Sequence, residues 1–302
     1  MVIPTWRARD LLRRCLSALR ADHSSKSVTV VDNASGDGTR ELVRDEFPEV
    51  TLVELPENMG FGRAVNAGVR EGLGEAIVLI NNDVLVAPGF VDAIVAPLAT
   101  PHVGMVAGLT TIPDTDLVDA FGIELDRALL SYNRARNAPL GTPAGRLAMP
   151  SGGAAAYRRA AWEAAGGFDE AFFAYGEDLD LGLRLRSLGW GAAEAPTARA
   201  VHLGGATAGV DSPLQRELAG FARGFLLRRY GILRSRAAAR ALTIDALVVG
   251  WGLIRHRTLV PLRARASGWR AAGRCDQHAL PSATVDPAIG FVESVRRLRT
   301  AR

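Results

Sequence analysis

The chain has 302 residues, with 36 Lys or Arg against 32 Asp or Glu, 48% hydrophobic and 23% charged residues. Such figures exclude a disordered or fibrous chain and suffice for one or two packed domains. Cys15 and Cys275 are the only cysteines, which excludes a disulfide scaffold and a cysteine-ligated zinc site and points to a reducing compartment.

The net charge of +4 is unevenly distributed. Residues 212–302 carry 17 Arg against 5 acids, a surplus of +12, which leaves −8 on residues 1–211. An acidic body with a basic tail predicts two units, 1–211 and 212–302, with the tail facing an anionic partner. The apolar content of the tail favours a membrane surface over a nucleic acid. At the N-terminus, Arg7, Arg9 and Asp10 follow too soon for a signal-peptide core.

In chain order, residues 28–31 are a β-branched run that predicts a strand, ending at the polar turn of Asp32, Asn33 and Ser35. A helix is expected over 39–47, a strand over 50–55, a loop over 58–62 and a helix over 63–72. The apolar stretch 76–80 predicts a strand that stops at Asn81-Asn82-Asp83. A helix over 88–98 and a strand over 103–107 follow. Strands alternating with helices through short links predict an α/β fold with an open, mostly parallel sheet flanked by helices. Ligands of such sheets sit beyond the carboxyl ends of the strands, where Asp32 and Asp83 fall.

Residues 110–150 read as a loop-rich insertion or β-ribbon, and 151–157 as a small-residue strand or turn. A short helix over 159–165 precedes Gly166-Gly167-Phe168-Asp169-Glu170. Glu177-Asp178-Leu179-Asp180 then opens a helix; carboxylates at a helix start are favoured by the dipole, which by itself accounts for them. At i,i+4 spacing Arg184 can pair with Asp180. A strand is expected near His202. Helices over 213–230, 235–254 and 259–272 form a C-terminal extension, and 276–302 carries no clear pattern. The segment 241–254 is apolar but for Asp245, and its fourteen residues fall short of the roughly 20 that span a bilayer. Lying in the interface plane, or packing on the body, are its two expected fates.

The chemistry-bearing residues are individually modest. Asp32 could accept hydrogen bonds from a base or ribose, although a turn Asp also bonds its own backbone. The segment 58–66 has a Gly-x-Gly but no third glycine, so dinucleotide binding is rejected. No Gly-x-x-x-x-Gly-Lys loop exists, Lys26 being the only lysine. Asp83 could hold Mg²⁺ or Mn²⁺ together with substrate phosphates.

Taken together, Val30-Val31-Asp32-Asn33-Ala34-Ser35, the run from Asn58 to Gly68, Ile80-Asn81-Asn82-Asp83-Val84, the Gly166 to Glu170 stretch, Glu177-Asp178-Leu179-Asp180 and His202 occur in the order seen in family 2 glycosyltransferases. The chain resembles the rhamnosyltransferase-like branch of that family over roughly residues 2–208. The resemblance implies a GT-A fold, a nucleotide-diphosphate-sugar donor (dTDP- or UDP-linked), a divalent cation (Mg²⁺ or Mn²⁺) and inverting transfer. The expected product is a cell-wall or surface polysaccharide or a polyprenyl-linked glycan.

Carried over residue by residue, Asp178 matches the catalytic base, with Glu177 beside it. Asp83 and His202 match the metal-binding residues. Thr5, Asp32, Asn58, Gly60, Arg63, Asn66, Asn82, Gly152 and Gly153 are expected around the donor. The sequence departs from the pattern at Asn81, where the stricter metal motif has Asp, and at the short apolar run before Thr5, where either the first strand is clipped or the start lies upstream. The expected location is cytoplasmic, peripheral on the inner face of the plasma membrane. A silent nucleotide-sugar-binding subunit and a sugar nucleotidyltransferase are the alternatives.

Overall fold

The computed structural model describes residues 1–204 and 212–300, with side chains to residue 297. The expected boundary at 211/212 and the end of the resemblance at 208 touch residues outside the described ones. Eight strands form the main path of one sheet. In order they are β3 (Thr51–Glu54), β2 (Thr29–Asp32), β1 (Val2–Thr5), β4 (Ala76–Ile80), β10 (Ala154–Arg158), β6 (Val103–Thr111), β11 (Gly191–His202) and β5 (Val84–Val86). A ninth, β7 (Val118–Ala120), pairs with β6.

The parallel character holds for β3-β2-β1-β4 and again for β6-β11. Between the two blocks β10 runs antiparallel to both β4 and β6, so the sheet as a whole is mixed. Residues 110–150 contain β7 and a small ribbon, β8 (Ile123–Leu125) with β9 (Ser131–Asn133). The short first strand pairs all four of its residues with β2 and is buried throughout.

This direction of β10 assembles the site. Because it runs against β4, Ala154 lies opposite Ile80, and the preceding Gly152-Gly153 arrives at the edge where β1 and β4 end. Asn81 N–H donates to the Gly153 carbonyl (3.2 Å) and closes that corner. At the far side β5 pairs antiparallel with the end of β11, setting His202 opposite Val84 and beside Asp83.

Helices cover both faces of the sheet. On one face α1 (Arg9–Ala21), α2 (Thr39–Glu46) and α4 (Phe90–Val95) bury Leu12, Leu16, Leu42, Phe90 and Ile94 against Ile3, Val30, Val78 and Ile80. On the other, α3 (Phe61–Glu71), α5 (Arg159–Ala165) and α6 (Glu177–Ser187) share a core with α7 (Pro213–Arg229) and α8 (Ala238–His256). Phe172 meets Phe225 of α7 edge-on at 4.7 Å, so the C-terminal helices continue the hydrophobic core of the body. They are completed by α9 (Val260–Ala271), packed on α7, and α10 (Phe291–Thr300). Close approach of α7 and α9 depends on Gly224 and Gly268, where a Cβ would strike the opposing backbone.

Part of the basic surplus of the tail meets acids within the fold. Arg229 pairs with Asp169 and Asp180, Arg240 with Asp126 (2.8 Å) and Arg297 with Glu124 (2.5 Å). The tail is thus tied to the acidic body by ion pairs as well as by apolar packing.

Candidate active site

A cavity of about 520 Å³ opens at the edge where β1 and β4 end. Thr5, Trp6, Asn33, Asn58, Gly60, Phe61, Asn81, Asn82 and Asp83 form one wall, and Gly152, Gly153, Phe173, Tyr175, Glu177 and Asp178 the other. Leu214 and Leu218 of α7 close one side. A larger, shallower depression of about 800 Å³ lies by α3 and α5. Its Arg184 and Arg229 are already paired with Asp180 and Asp169, and it lacks the adjacent carboxylates Glu177 and Asp178. Chemistry therefore belongs to the smaller cavity.

The first wall is held by amides. Asn33 donates through Nδ2 to Asn58 Oδ1 (2.9 Å) and to the Gly60 carbonyl (3.1 Å), while its Oδ1 accepts from Met59 N–H (2.8 Å). Gly60 has φ of 86°, and a Cβ there would collide with the Phe173 carbonyl, to which Phe61 N–H donates at 2.6 Å. Only glycine permits that approach. Asn82 Nδ2 donates to Thr5 Oγ1 (2.9 Å), joining the ends of β1 and β4.

The second wall is the start of α6. Tyr175 and Gly176 both have positive φ, which turns the chain abruptly into the helix. Asp178 is half-buried; its Oδ2 accepts from Gly152 N–H (3.2 Å) and its Oδ1 from Leu179 N–H (2.7 Å). Burial raises its pKa, against the stabilising effect of these N–H bonds. Glu177 is buried, and its Oε2 has no hydrogen-bond partner among the described residues. Burial and the adjacent Asp178 charge push Glu177 up to about 8. Near neutrality the pair therefore holds one proton on Glu177, and Asp178, bonded by two amides at a helix start, is the ionised member.

Behind the first wall His202 meets the lining residue Asp83, with His202 Nε2 3.3 Å from Asp83 Oδ1. A residue missed in the sequence completes the group. Asp119, in β7, accepts from His202 Nδ1 at 2.7 Å. Burial opposes a charge on His202, but Asp119 and Asp83 outweigh it and hold the imidazole up to about 10.

Two donor atoms about 3.3 Å apart suit a single divalent cation, whose bonds of about 2.1–2.3 Å at near-right angles set ligands roughly 3 Å from each other. Among the described residues no group of three His, Cys, Asp or Glu could hold a metal alone. The fit is to a cation that takes its other ligands from substrate and water.

Four expected site residues lie outside the cavity walls: His202, set behind Asp83, and Asp32, Asn66 and Arg63. Asp32 is fully buried, and its oxygens accept from Arg40 Nε (2.6 Å) and Ser35 N–H (3.1 Å). It braces the turn, and its neighbour Asn33 faces the cavity instead. Asn66 clamps Phe168 through both backbone groups, Nδ2 to the carbonyl (2.9 Å) and Oδ1 from the N–H (3.0 Å). Arg63 pairs with Glu170 at 3.4 Å. Trp6, Asn133, Leu214 and Leu218 are wall residues for which the sequence carried no separate signal.

The profile of the family described as "Glycosyltransferase like family 2" matches residues 1–218. An N-acetylglucosaminyl-diphospho-decaprenol L-rhamnosyltransferase of Mycobacterium tuberculosis is 32% identical over 232 residues, covering 67% of this chain and 75% of that protein. The O-antigen biosynthesis protein RfbC of Myxococcus xanthus is 27% identical over 67% of this chain but only 17% of its own length. Among solved structures, a Pyrobaculum calidifontis mannosyltransferase in complex with GDP-Man and Mn²⁺ superposes with a TM-score of 0.57 at 21% identity, over 99% of this chain and 79% of that one. Staphylococcus aureus TarS 1–349 in complex with UDP gives 0.52 at 15% identity, over 90% and 88%. The cavity at the strand ends, the mixed sheet and these matches agree: the chain belongs to glycosyltransferase family 2 and is a glycosyltransferase with the GT-A fold.

Proposed function

We propose that this glycosyltransferase is inverting and moves a deoxyhexose, with L-rhamnose the leading candidate, from a dTDP- or UDP-linked donor to a polyprenyl-diphosphate-linked or polysaccharide acceptor. The observation that carries the reading is Asp178, an ionisable carboxylate fixed by backbone N–H groups and facing the wall built from Asn33, Asn58, Gly60 and Asp83. The mycobacterial relative supports the sugar and the lipid-linked acceptor.

In the transfer, an acceptor hydroxyl oxygen forms a bond to the anomeric carbon as the bond from that carbon to the diphosphate oxygen breaks. Asp178 takes the hydroxyl proton, and the nucleoside diphosphate leaves on the opposite face. Glu177, protonated beside it, keeps a second negative charge away from the incoming oxygen. Asn33 and Asn58 fix the loop against which the nucleotide rests, and Trp6 and Phe61 offer apolar surface to it. Asp83 and His202 would hold a divalent cation, which supplies positive charge to the departing diphosphate.

The enzyme would act peripherally at the inner face of the plasma membrane. No described helix is long and apolar enough to cross a membrane. The test is nucleoside diphosphate release from dTDP-rhamnose with a prenyl-diphosphate-N-acetylglucosamine acceptor, set against other nucleotide sugars. Turnover with another sugar would overturn the rhamnose reading; transfer undiminished by EDTA would remove the cation.

A further inference from the structure

The two faces of α8 differ in kind. Its inner face buries Ala241, Ile244 and Gly252 and turns Asp245 inward, where it pairs with Arg223 (3.2 Å) and Arg265 (3.1 Å). The outer face carries Leu242, Ala246, Leu247, Gly250, Leu253 and Ile254, with no charge across three turns. Leu247 is 51% and Ile254 78% exposed. Even the Thr243 hydroxyl on that face donates back to the Ala239 carbonyl at 2.9 Å. Exposed Leu259 and Leu262 extend the apolar surface around the turn into α9.

The ends of this face are basic. Exposed Arg234 and Arg236 lie before α8, and exposed Arg255, Arg257 and Arg263 follow its outer face. Asp245, turned inward, is the only acid between residues 230 and 275. We propose that the outer face of α8 lies in the headgroup layer of an anionic bilayer, with its axis in the membrane plane, and that it holds the cavity mouth against that surface.

Charge decides the occupant. In a two-fold dimer this patch would meet its own copy, and every flanking charge would face another arginine with no acid to offset it. An anionic lipid surface complements both parts, apolar at the centre and negative around it.

The link to the mouth is geometric. His256, at the end of α8, lies 3.5 Å from Arg216 in the first turns of α7. Arg216 points away from Leu214 and Leu218, which line the cavity from the opposite side of α7. The end of the apolar face and the cavity edge thus lie on opposite sides of α7, about 10 Å (one helix diameter) apart. A lipid-linked acceptor could present its head to Asp178 while its chain stays in the bilayer. That second step rests on the proposed lipid-linked acceptor; the docking of α8 does not.

The test sediments the full chain with phosphatidylcholine vesicles made with and without phosphatidylglycerol. Wild type should pellet with the anionic vesicles, and Leu247→Glu/Ile254→Glu should lose affinity by roughly tenfold or more. Arg255→Ala/Arg257→Ala should lose the preference for phosphatidylglycerol. An unchanged melting curve and unchanged nucleoside diphosphate binding with Mn²⁺ certify that each variant is folded. Wild type remaining in the supernatant overturns the docking, as does a solution dimer that Leu247→Glu/Ile254→Glu dissociates. For the mouth, that double variant should impair transfer to a prenyl-linked acceptor in vesicles and spare transfer to a short-chain soluble analogue. Equal loss on both overturns the orientation. Vesicle binding by a chain inactive on every lipid-linked acceptor would sink the acceptor reading and leave the docking standing.

Discussion

Asp178 and Asp180 sit two residues apart on α6, and the fold gives them opposite surroundings. Successive helical positions turn by about 100°, so residues two apart look away from each other. Asp178 faces the cavity with Glu177, held only by backbone N–H groups. Asp180 is fully buried and meets Arg184 (2.8 Å), Arg229 (3.4 Å) and the Tyr230 hydroxyl (3.1 Å). One acid keeps its charge available for chemistry. The other uses its charge to lock α6 to α7. Through Asp180 the C-terminal helices hold the helix that carries the candidate base.

The widest gap between the two should appear on substitution by Asn. Asp178→Asn is expected to lower kcat by about 10²–10⁴ while donor binding by calorimetry stays near wild type. Near-normal turnover would remove Asp178 as base. Asp180→Asn should instead lower stability by roughly 3–5 kcal/mol, because buried Arg184 loses its counter-charge and Arg229 is left with Asp169 alone. Urea unfolding measures this, and the folded fraction should keep its kcat.

The cation pair sharpens the comparison at a smaller scale. Asp119→Ala frees the His202 ring and should weaken Mn²⁺ binding about 10–100-fold, whereas Asp119→Asn retains an acceptor for Nδ1 and should recover part of that loss. Titration of Mn²⁺ by electron paramagnetic resonance reads both variants. Identical affinities for Ala and Asn would dismiss the positioning role.

The subtlest effect belongs to Glu177. Folded, it keeps its proton to about 8, whereas an unperturbed Glu releases it near 4.5. The folded state binds the extra proton, so this group costs stability progressively as pH rises from about 4.5 to 8. Glu177→Gln mimics the protonated form and should flatten that part of the profile in melting experiments. Its kcat near neutral pH should stay within about threefold of wild type. A large loss there would mean that the ionised form is needed.

Much of the framework could be read locally. The strand at 76–80 matches β4 residue for residue, and the helix at 159–165 matches α5, because apolar runs and small-residue patterns act within a few residues. The Asp180–Arg184 pair followed from i,i+4 spacing alone. Other features needed the assembled fold. Asp32 and Asn33 are equally good turn residues, and only Arg40 on α2 draws the first away from the cavity. Asp119 lies 83 residues from His202 in sequence, and β6 brings them together by pairing with β7 on one side and β11 on the other.

The sequence by itself determined the alternation of strands and helices, the acidic start of α6 and the basic, apolar character of the C-terminal helices. These depend on neighbours within a turn or on alternation along a strand. Tertiary structure decided which of two adjacent residues faces the cavity and that β10 runs against its neighbours to deliver Gly152 to Asp178. It also decided that α8 buries one face and exposes the other. Such choices depend on what packs opposite, and opposite partners here come from elements distant in the chain.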